Sequence, residues 1–167
     1  MFDDVVVPTY GTQSAACFDV RAYLNPDNIE SVKIFTSMNE VMNAKVETDQ
    51  LGRFILELPP HSRALIPTGL IFDIEEGYSL RGHPRSGLSV KHGLTLINAE
   101  GVIDSDYVEQ THITLWNTTD LSYFVSHNER LAQFEVVPQI TSEFEVITER
   151  PQVKTDRTGG FGSTGKQ

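Results

Sequence analysis

The feature that most constrains the fold is a series of short runs rich in β-branched and aromatic residues, each bounded by Gly, Pro, Asn or Asp. These runs predict strands separated by turns, because branched side chains suit a pleated sheet. The predicted strands are Val5–Val7, Arg63–Ile66, Ile71–Ile74, Tyr78–Leu80, Leu94–Ile97, His112–Trp116, Ala132–Val137 and Phe144–Ile147. One short helix is predicted at Ser86–His92, ended by Gly93. We therefore expect an all-β fold that closes into a sandwich or jelly roll.

Residues 26–57 carry a different pattern, in which apolar side chains recur every three residues. The recurring positions are Ile29, Val32, Phe35, Met38 and Val41. This spacing predicts an amphipathic helix of about 15 residues, although the β-branched members also suit strands. We interpret residues 26–57 as an insertion packed on the barrel, with a protein-binding element as the alternative.

Length and composition predict one domain, residues 1–167, around one core, since 39% of the 167 residues are hydrophobic. No apolar run approaches the roughly 20 residues that cross a bilayer. The N-terminal MFDDVVVPTYG lacks the basic region of a secretory signal, and one cysteine permits no internal disulfide. We therefore expect a soluble cytoplasmic protein with no membrane partner.

The net charge of −10 argues against binding of nucleic acid, which needs many contacts between cations and phosphates. A small polyphosphate can still bind where arginines gather. Five arginines lie in short motifs: Arg21, Arg81, Arg85, Arg130 and Arg157.

The stretch GHPRSGLSVKHG, residues 82–93, has the residue types of a phosphate-binding turn. Arg85 and Ser86 supply a cationic fork and a hydroxyl, and Gly87 lets backbone approach a ligand. A plain surface turn is the alternative.

The stretch INAEGVIDSDYVEQTHITLWN, residues 97–117, places Asp104 and Asp106 between two predicted strands. A carboxylate close to bound phosphates has a raised proton affinity and can take a proton from water. The alternative is an aspartate that caps its own turn.

The chain ends in the glycine-rich stretch RTGGFGSTGKQ, residues 157–167. One interpretation is a loose tail, because so few apolar side chains cannot form a core. The other is a lid that orders over a ligand, with N–H groups and hydroxyls around anionic oxygens and Phe161 stacked on a flat ring.

Five motifs in chain order resemble those of the homotrimeric dUTPases, and outside residues 26–57 the resemblance covers nearly the whole chain. The motifs are SAACFDVRA at 14–22, PRSGLSVKHG at 84–93, NAEGVIDSDY at 98–107, ERLAQFEVVP at 129–138 and RTGGFGSTG at 157–165. The resemblance implies a jelly-roll-like β-barrel, a homotrimer with composite active sites, and Mg²⁺-assisted hydrolysis of dUTP to dUMP and pyrophosphate. This activity limits uracil entry into DNA and supplies dUMP for thymidylate synthesis.

The resemblance also implies roles for residues of the third motif. Asp104 would be the base that activates the water attacking the α-phosphorus. Asn98 would face the uracil, and the ring of Tyr107 would pack under the deoxyribose and exclude a 2′-hydroxyl. The hairpin backbone that reads the uracil edge and excludes a 5-methyl group would run through Gly101, Val102 and Ile103.

The other motifs would bind the triphosphate and Mg²⁺. The phosphate turn would consist of Arg85, Ser86 and Gly87, with a further contact from Gln133. The lid from a neighbouring subunit would contribute Arg157, Phe161, Gly162, Ser163 and Thr164. Mg²⁺ would be held chiefly by phosphates and water, with Asp19 near its water shell and no direct protein ligand.

Two positions depart from the family pattern: Glu109 stands where a glycine is usual, and Cys17 is interpreted as a small buried side chain. One alternative function is that of a metal-free dCTP deaminase, or a bifunctional relative, of the same fold. Those relatives lack the stacking tyrosine and the GGFGSTG lid that this chain contains. The other alternative is a nucleotide-sensing regulatory protein that binds a partner through residues 26–57.

Overall fold

The computed structural model describes residue 2, residues 4–152 and residues 154–155. The strands are β1 (Phe18–Arg21), β2 (Val32–Phe35), β3 (Val41–Ala44), β4 (Glu47–Thr48), β5 (Phe54–Leu58), β6 (Arg63–Pro67), β7 (Tyr78–Pro84), β8 (Leu94–Leu96), β9 (Gly101–Ile103), β10 (His112–Asn117), β11 (Tyr123–Ser126) and β12 (Arg130–Pro138). The one helix in these ranges is α1 (Ser86–His92). No helix of the described chain is long and apolar enough to span a membrane.

The strands form three sheets in which every pair is antiparallel. The first sheet has the order β1-β12-β7-β9, the second β3-β2-β6-β10-β8 and the third β11-β5-β4. The predicted all-β fold with one short helix is therefore confirmed. The described strands remain three separate sheets and do not close into one continuous barrel.

The two faces of the first sheet differ in chemistry, because side chains alternate between faces along a strand. Its inner face packs into the core through buried side chains such as Phe18, Val20 and Phe134. Its outer face, defined here as the face that carries Asp19, Gln133 and Glu135, is half-buried and polar. This division determines where the functional groups lie.

The helix predicted in residues 26–57 is wrong, since the segment contains β2, β3, β4 and part of β5. Val32 and Ile34 are buried while Lys33 between them is exposed, so burial follows the two-residue period of a strand. Asn39 adopts a positive φ of 63° in the turn between β2 and β3. Ile34 pairs with Ala64 of β6, and this long-range pairing selects the strand conformation.

Three predicted strands, Val5–Val7, Ile71–Ile74 and Phe144–Ile147, are also wrong, because none of them pairs with a neighbouring strand. Their β-branched composition suits a sheet but does not supply a partner. The helix prediction at α1 is confirmed. Gly93 ends it in the left-handed conformation, where its N–H donates to the carbonyls of Leu88 and Ser89.

Candidate active site

The hairpin from residue 98 to residue 107 borders a cavity of about 340 Å³, called here the hairpin pocket. All six residues that were predicted to hold the nucleoside or act on it line this pocket: Asn98, Gly101, Val102, Ile103, Asp104 and Tyr107. The structure adds residues from other strands: Leu65, Gly82, Leu96, Thr111, His112, Ile113, Thr114 and Phe134. Six of these added residues lie within motif stretches that the sequence had singled out: Gly82, Thr111, His112, Ile113, Thr114 and Phe134. The sequence did not show that their side chains face this pocket, because that depends on how the strands pair.

Close packing fixes the shape of the hairpin pocket. The Thr114 hydroxyl donates to the Asn98 side-chain carbonyl. A Cβ at Gly101 would lie 3.3 Å from Asn98 Nδ2, so glycine at this position lets the amide lie against the hairpin. A Cβ at Gly82 would lie 2.9 Å from the ring of Phe134, which sets the inner wall. The predicted uracil-side amide is thus held by its neighbours.

Asp104 and Tyr107 lie in the turn that follows β9. The Tyr107 N–H donates to the Asp104 carbonyl oxygen at 3.1 Å, and the Tyr107 hydroxyl donates to the carbonyl of Gln110 at 3.1 Å. The Asp104 side chain is exposed, and its carboxylate has no hydrogen-bond or ion-pair partner among the described residues. Asp106 does not line the pocket. Asp104 is therefore the carboxylate that is available to a water molecule here.

A second pocket, called here the arginine pocket, has a volume of about 330 Å³. Its lining residues are Gly11, Thr12, Ala15, Cys17, Asp19, Arg85, Ser86, Gly87 and Gln133. The four predicted phosphate-binding residues, Arg85, Ser86, Gly87 and Gln133, therefore come together, and Asp19 joins them.

Ion pairs hold the arginine pocket in shape. Asp19 Oδ1 lies 2.9 Å from Arg85 Nε, and Asp19 Oδ2 lies 3.0 Å from Arg130 Nη1. Arg85 Nη1 also donates to the Arg130 carbonyl oxygen at 2.9 Å, and Gln133 Nε2 donates to the Pro84 carbonyl oxygen at 3.0 Å. Two guanidinium groups and one carboxylate leave a net charge of +1, which favours an anion.

Gly87 keeps the arginine pocket open. Among the described residues, leaving aside its chain neighbours and the backbone of its own helix, no atom lies within 4 Å of the place where its Cβ would stand. Its φ is not positive either, so neither packing nor conformation requires glycine there. The first turn of α1 contains no acidic side chain, and Arg85 at its N-cap makes no side-chain capping bond. The glycine therefore leaves space for a ligand beside free backbone N–H groups.

The two pockets lie on opposite sides of the first sheet and share no lining residue. The hairpin pocket contacts the inner face at Gly82 and Phe134, whereas the arginine pocket contacts the outer face at Asp19 and Gln133. One chain thus presents two pockets that face different directions.

The donor set fits a Mg²⁺ ion that is bound mainly by phosphates. Within the described ranges, no cluster of carboxylates forms a protein cage for the ion. Both Asp19 oxygens already pair with arginines, although each retains a second lone pair for a water molecule. Mg²⁺ commonly keeps several waters and binds through substrate phosphates.

Several predictions fall elsewhere. The lid residues Arg157, Phe161, Gly162, Ser163 and Thr164 lie outside the described residues. The interpretation of Cys17 as a buried side chain is wrong, because the residue is half-buried and borders the arginine pocket. Glu109 is exposed and does not line the hairpin pocket.

Comparison with known proteins agrees with this geometry. The family model described as dUTPase matches residues 54–165. A deoxyuridine 5'-triphosphate nucleotidohydrolase of Bdellovibrio bacteriovorus is 41% identical over 160 residues, which cover 96% of this chain and 88% of the relative. The corresponding protein of Roseobacter denitrificans is 44% identical over 109 residues, which cover 65% of this chain and 70% of the relative.

Solved structures show the same fold at lower identity. The dUTPase of Staphylococcus bacteriophage 80alpha with dUPNHPP superposes with a TM-score of 0.72 at 22% identity, covering 99% of this chain and 95% of the phage protein. The dUTPase of Streptococcus mutans gives a TM-score of 0.64 at 22% identity, covering 86% of this chain and 97% of the other. With the family match over residues 54–165 and relatives above 40% identity, the chain belongs to the dUTPase family.

Proposed function

We propose that the chain is a dUTP diphosphatase, which hydrolyses dUTP to dUMP and pyrophosphate with Mg²⁺ as cofactor. The observation that carries this proposal is the Asp104 carboxylate, which has no partner among the described residues and lies at a pocket large enough for a nucleoside. Membership of the dUTPase family and the names of the relatives support the same substrate. The activity would limit uracil entry into DNA and supply dUMP for thymidylate synthesis.

Asp104 would act as the general base. Its carboxylate takes a proton from a water molecule while the water oxygen attacks the α-phosphorus. The bond from the α-phosphorus to the oxygen that bridges to the β-phosphorus breaks, and pyrophosphate leaves with that oxygen. The exposure of Asp104 gives water access to it in the isolated chain.

The hairpin pocket would select base and sugar. The Asn98 amide, held by the Thr114 hydroxyl, has both a donor and an acceptor for the uracil edge, and the backbone of β9 leaves no room for a 5-methyl group. The Tyr107 ring, fixed by its bond to Gln110, would occupy the space that a 2′-hydroxyl needs. The pocket therefore favours deoxyuridine over thymidine and uridine.

The arginine pocket would bind the triphosphate. Arg85, Ser86, Gly87 and Gln133 offer a guanidinium, a hydroxyl, open backbone and an amide to phosphate oxygens. Asp19 fixes the direction of the Arg85 guanidinium and would contact Mg²⁺ through its water shell. Mg²⁺ bound to the triphosphate neutralises part of the charge on the phosphate oxygens.

The opposite placement of the two pockets supports a homotrimer with composite sites. A single dUTP cannot reach both faces of one sheet, so the hairpin pocket of one chain must meet the arginine pocket of another. Such a contact joins two different patches and closes into a ring when the rotation fits three chains. The lid residues Arg157, Phe161, Gly162, Ser163 and Thr164 would close over the joined site, and a cytoplasmic location suits this role.

The substitution Asp104→Asn tests the proposal, with Asp106→Asn as the matched control. Asp104→Asn keeps the shape of the side chain but removes the base, so kcat for dUTP should fall by about two to four orders of magnitude while binding is retained. Asp106→Asn should keep its activity, because Asp106 does not line the pocket. Pyrophosphate release from dUTP, dCTP, dTTP and UTP measures the activity of both variants and their choice of nucleotide. Wild-type turnover by Asp104→Asn would contradict the assignment, and ammonia release from dCTP would favour the deaminase alternative.

A further inference from the structure

A thiol, an imidazole and a carboxylate converge on the outer face of the first sheet, outside the residues assigned to dUTP. The ligating atoms of Cys17, His83 and Glu135 all lie within 4.8 Å of one another. His83 Nε2 lies 3.0 Å from Glu135 Oε1, and all three residues are half-buried. We propose that this cluster is a binding site for a divalent transition-metal ion, with Zn²⁺ as the best-suited ion.

The strand register brings the three residues together from distant parts of the sequence. β1 and β7 both pair with β12, one on each side. The pairing of Phe18 with Phe134 places Cys17 opposite Glu135, and the pairing of His83 with Gln133 places His83 diagonal to Glu135. The cluster is therefore fixed by the sheet.

The ligand types select a transition metal. Thiolate and imidazole are preferred ligands of Zn²⁺, whereas Mg²⁺ prefers oxygen ligands. Zinc bonds of 2.0–2.3 Å in a tetrahedron separate ligand atoms by roughly 3.3–3.8 Å. Side-chain movements of about 1 Å therefore convert the present spacing into three zinc ligands, with a water in the fourth position.

Binding of a metal ion at this place displaces the proton of the Cys17 thiol. Burial, together with the nearby carboxylates of Glu135 and Asp19, raises the pKa of the Cys17 thiol, so the thiol carries its proton at neutral pH. A bound Zn²⁺ replaces that proton with a zinc–sulfur bond, and one proton passes to solvent. Exchange of one proton for a divalent ion raises the net charge of the cluster by one. This added charge offsets the negative charge of the Glu135 carboxylate.

The cluster lies beside the arginine pocket. Cys17 itself lines that pocket, His83 stands two residues before Arg85, and Glu135 stands two residues after Gln133. Two residues of a strand span about 7 Å. A bound metal ion would thus place additional positive charge next to the proposed phosphate site.

Titration of the full chain with Co²⁺, without nucleotide, tests the site. Cys17 is the sole cysteine, so a thiolate-to-cobalt charge-transfer band in the near ultraviolet reports this cluster alone. We expect a band that saturates at one Co²⁺ per chain, release of about one proton per ion, and loss of the band when Zn²⁺ is added. A large excess of Mg²⁺ should leave the band unchanged.

Variants distinguish metal binding by the whole cluster from metal binding by Cys17 alone. Cys17→Ser should abolish the band. His83→Gln and Glu135→Gln should each weaken Co²⁺ binding by at least about tenfold, because loss of a residue that merely supports a metal ligand already costs about that much affinity. His61→Gln, which lies outside the cluster, should bind as the wild type does. If Cys17→Ser does not fold, the other two variants decide. Absence of the band in the wild type, or unchanged affinity in His83→Gln and Glu135→Gln, would overturn the proposal.

Discussion

The hairpin pocket and the arginine pocket are built in different ways on the two faces of one sheet. The hairpin pocket takes its predicted residues from one continuous stretch, residues 98–107, and uses backbone and close packing. The arginine pocket draws on segments near residues 11–19, 85–87 and 133 and uses ion pairs. The comparison shows that one sheet can carry two pockets of unlike chemistry on its opposite faces.

The two pockets also use aspartate differently. The Asp104 carboxylate has no partner among the described residues and is available for proton transfer. The Asp19 carboxylate is held between two guanidinium groups, at 2.9 Å from Arg85 and 3.0 Å from Arg130. The same residue type therefore suits a base in one environment and a positioning residue in the other.

The largest effect is expected from mixing two inactive variants. Arg85→Ala should lower kcat/KM by roughly 30-fold or more through loss of a charged contact, and Asp104→Asn should be nearly inactive. In trimers reassembled from equal amounts of both, about a quarter of the sites should combine two intact halves. Pyrophosphate release by the mixture should therefore recover to about a quarter of the wild-type rate.

Two controls sharpen the mixing experiment. Arg81→Ala, on β7 four residues before Arg85 but outside the arginine pocket, should retain activity alone. A mixture of Asp104→Asn with a double variant of Asp104→Asn and Arg85→Ala should stay inactive, because no intact base is present. Failure of the two single variants to complement each other would show that both half-sites act within one chain.

A smaller effect is expected inside the hairpin pocket. Tyr107→Ala removes the ring that excludes a 2′-hydroxyl, so the ratio of kcat/KM for dUTP to that for UTP should fall about tenfold to a hundredfold. Tyr107→Phe is the matched control, since it keeps the ring and loses only the hydroxyl bond to Gln110. An unchanged ratio in Tyr107→Ala would remove Tyr107 from sugar selection.

The smallest effect concerns stability and lies away from both pockets. Burial lowers the pKa of His127, whose Nδ1 accepts a hydrogen bond from the Leu24 N–H at 2.9 Å. In the unfolded chain the His127 imidazole takes up a proton near pH 6.5, whereas in the folded chain it does so only at lower pH. The free energy of unfolding should therefore fall as the pH drops below about 6.5.

Chemical denaturation at several pH values measures this slope. His127→Asn keeps an acceptor for the Leu24 N–H but cannot titrate, so its stability should depend less on pH in this window. The same slope in His127→Asn as in the wild type would assign the pH dependence to other groups.

The accuracy of sequence-based prediction differs between residues 84–107 and residues 26–57. The first region was predicted well, because α1 has a glycine that ends it and the hairpin places its functional residues next to one another in sequence. The second was predicted as a helix and contains strands, because apolar spacing alone does not reveal that β2 pairs with β6. Its role as a protein-binding element stays a prediction, with exposed apolar side chains at Met38 and Val41.

The sequence by itself determined the fold class and the family, because these depend on local propensity and on motifs of a few neighbouring residues. It also predicted candidate residues for each pocket, and their roles stay predictions. The tertiary structure alone decided which other residues line the pockets and that the two pockets lie on opposite faces of the first sheet. It also decided that Asp19 holds two arginines and that Cys17, His83 and Glu135 meet. The physical reason is that strand register, set by hydrogen bonds between segments at least 48 residues apart in the sequence, fixes which side chains share a face.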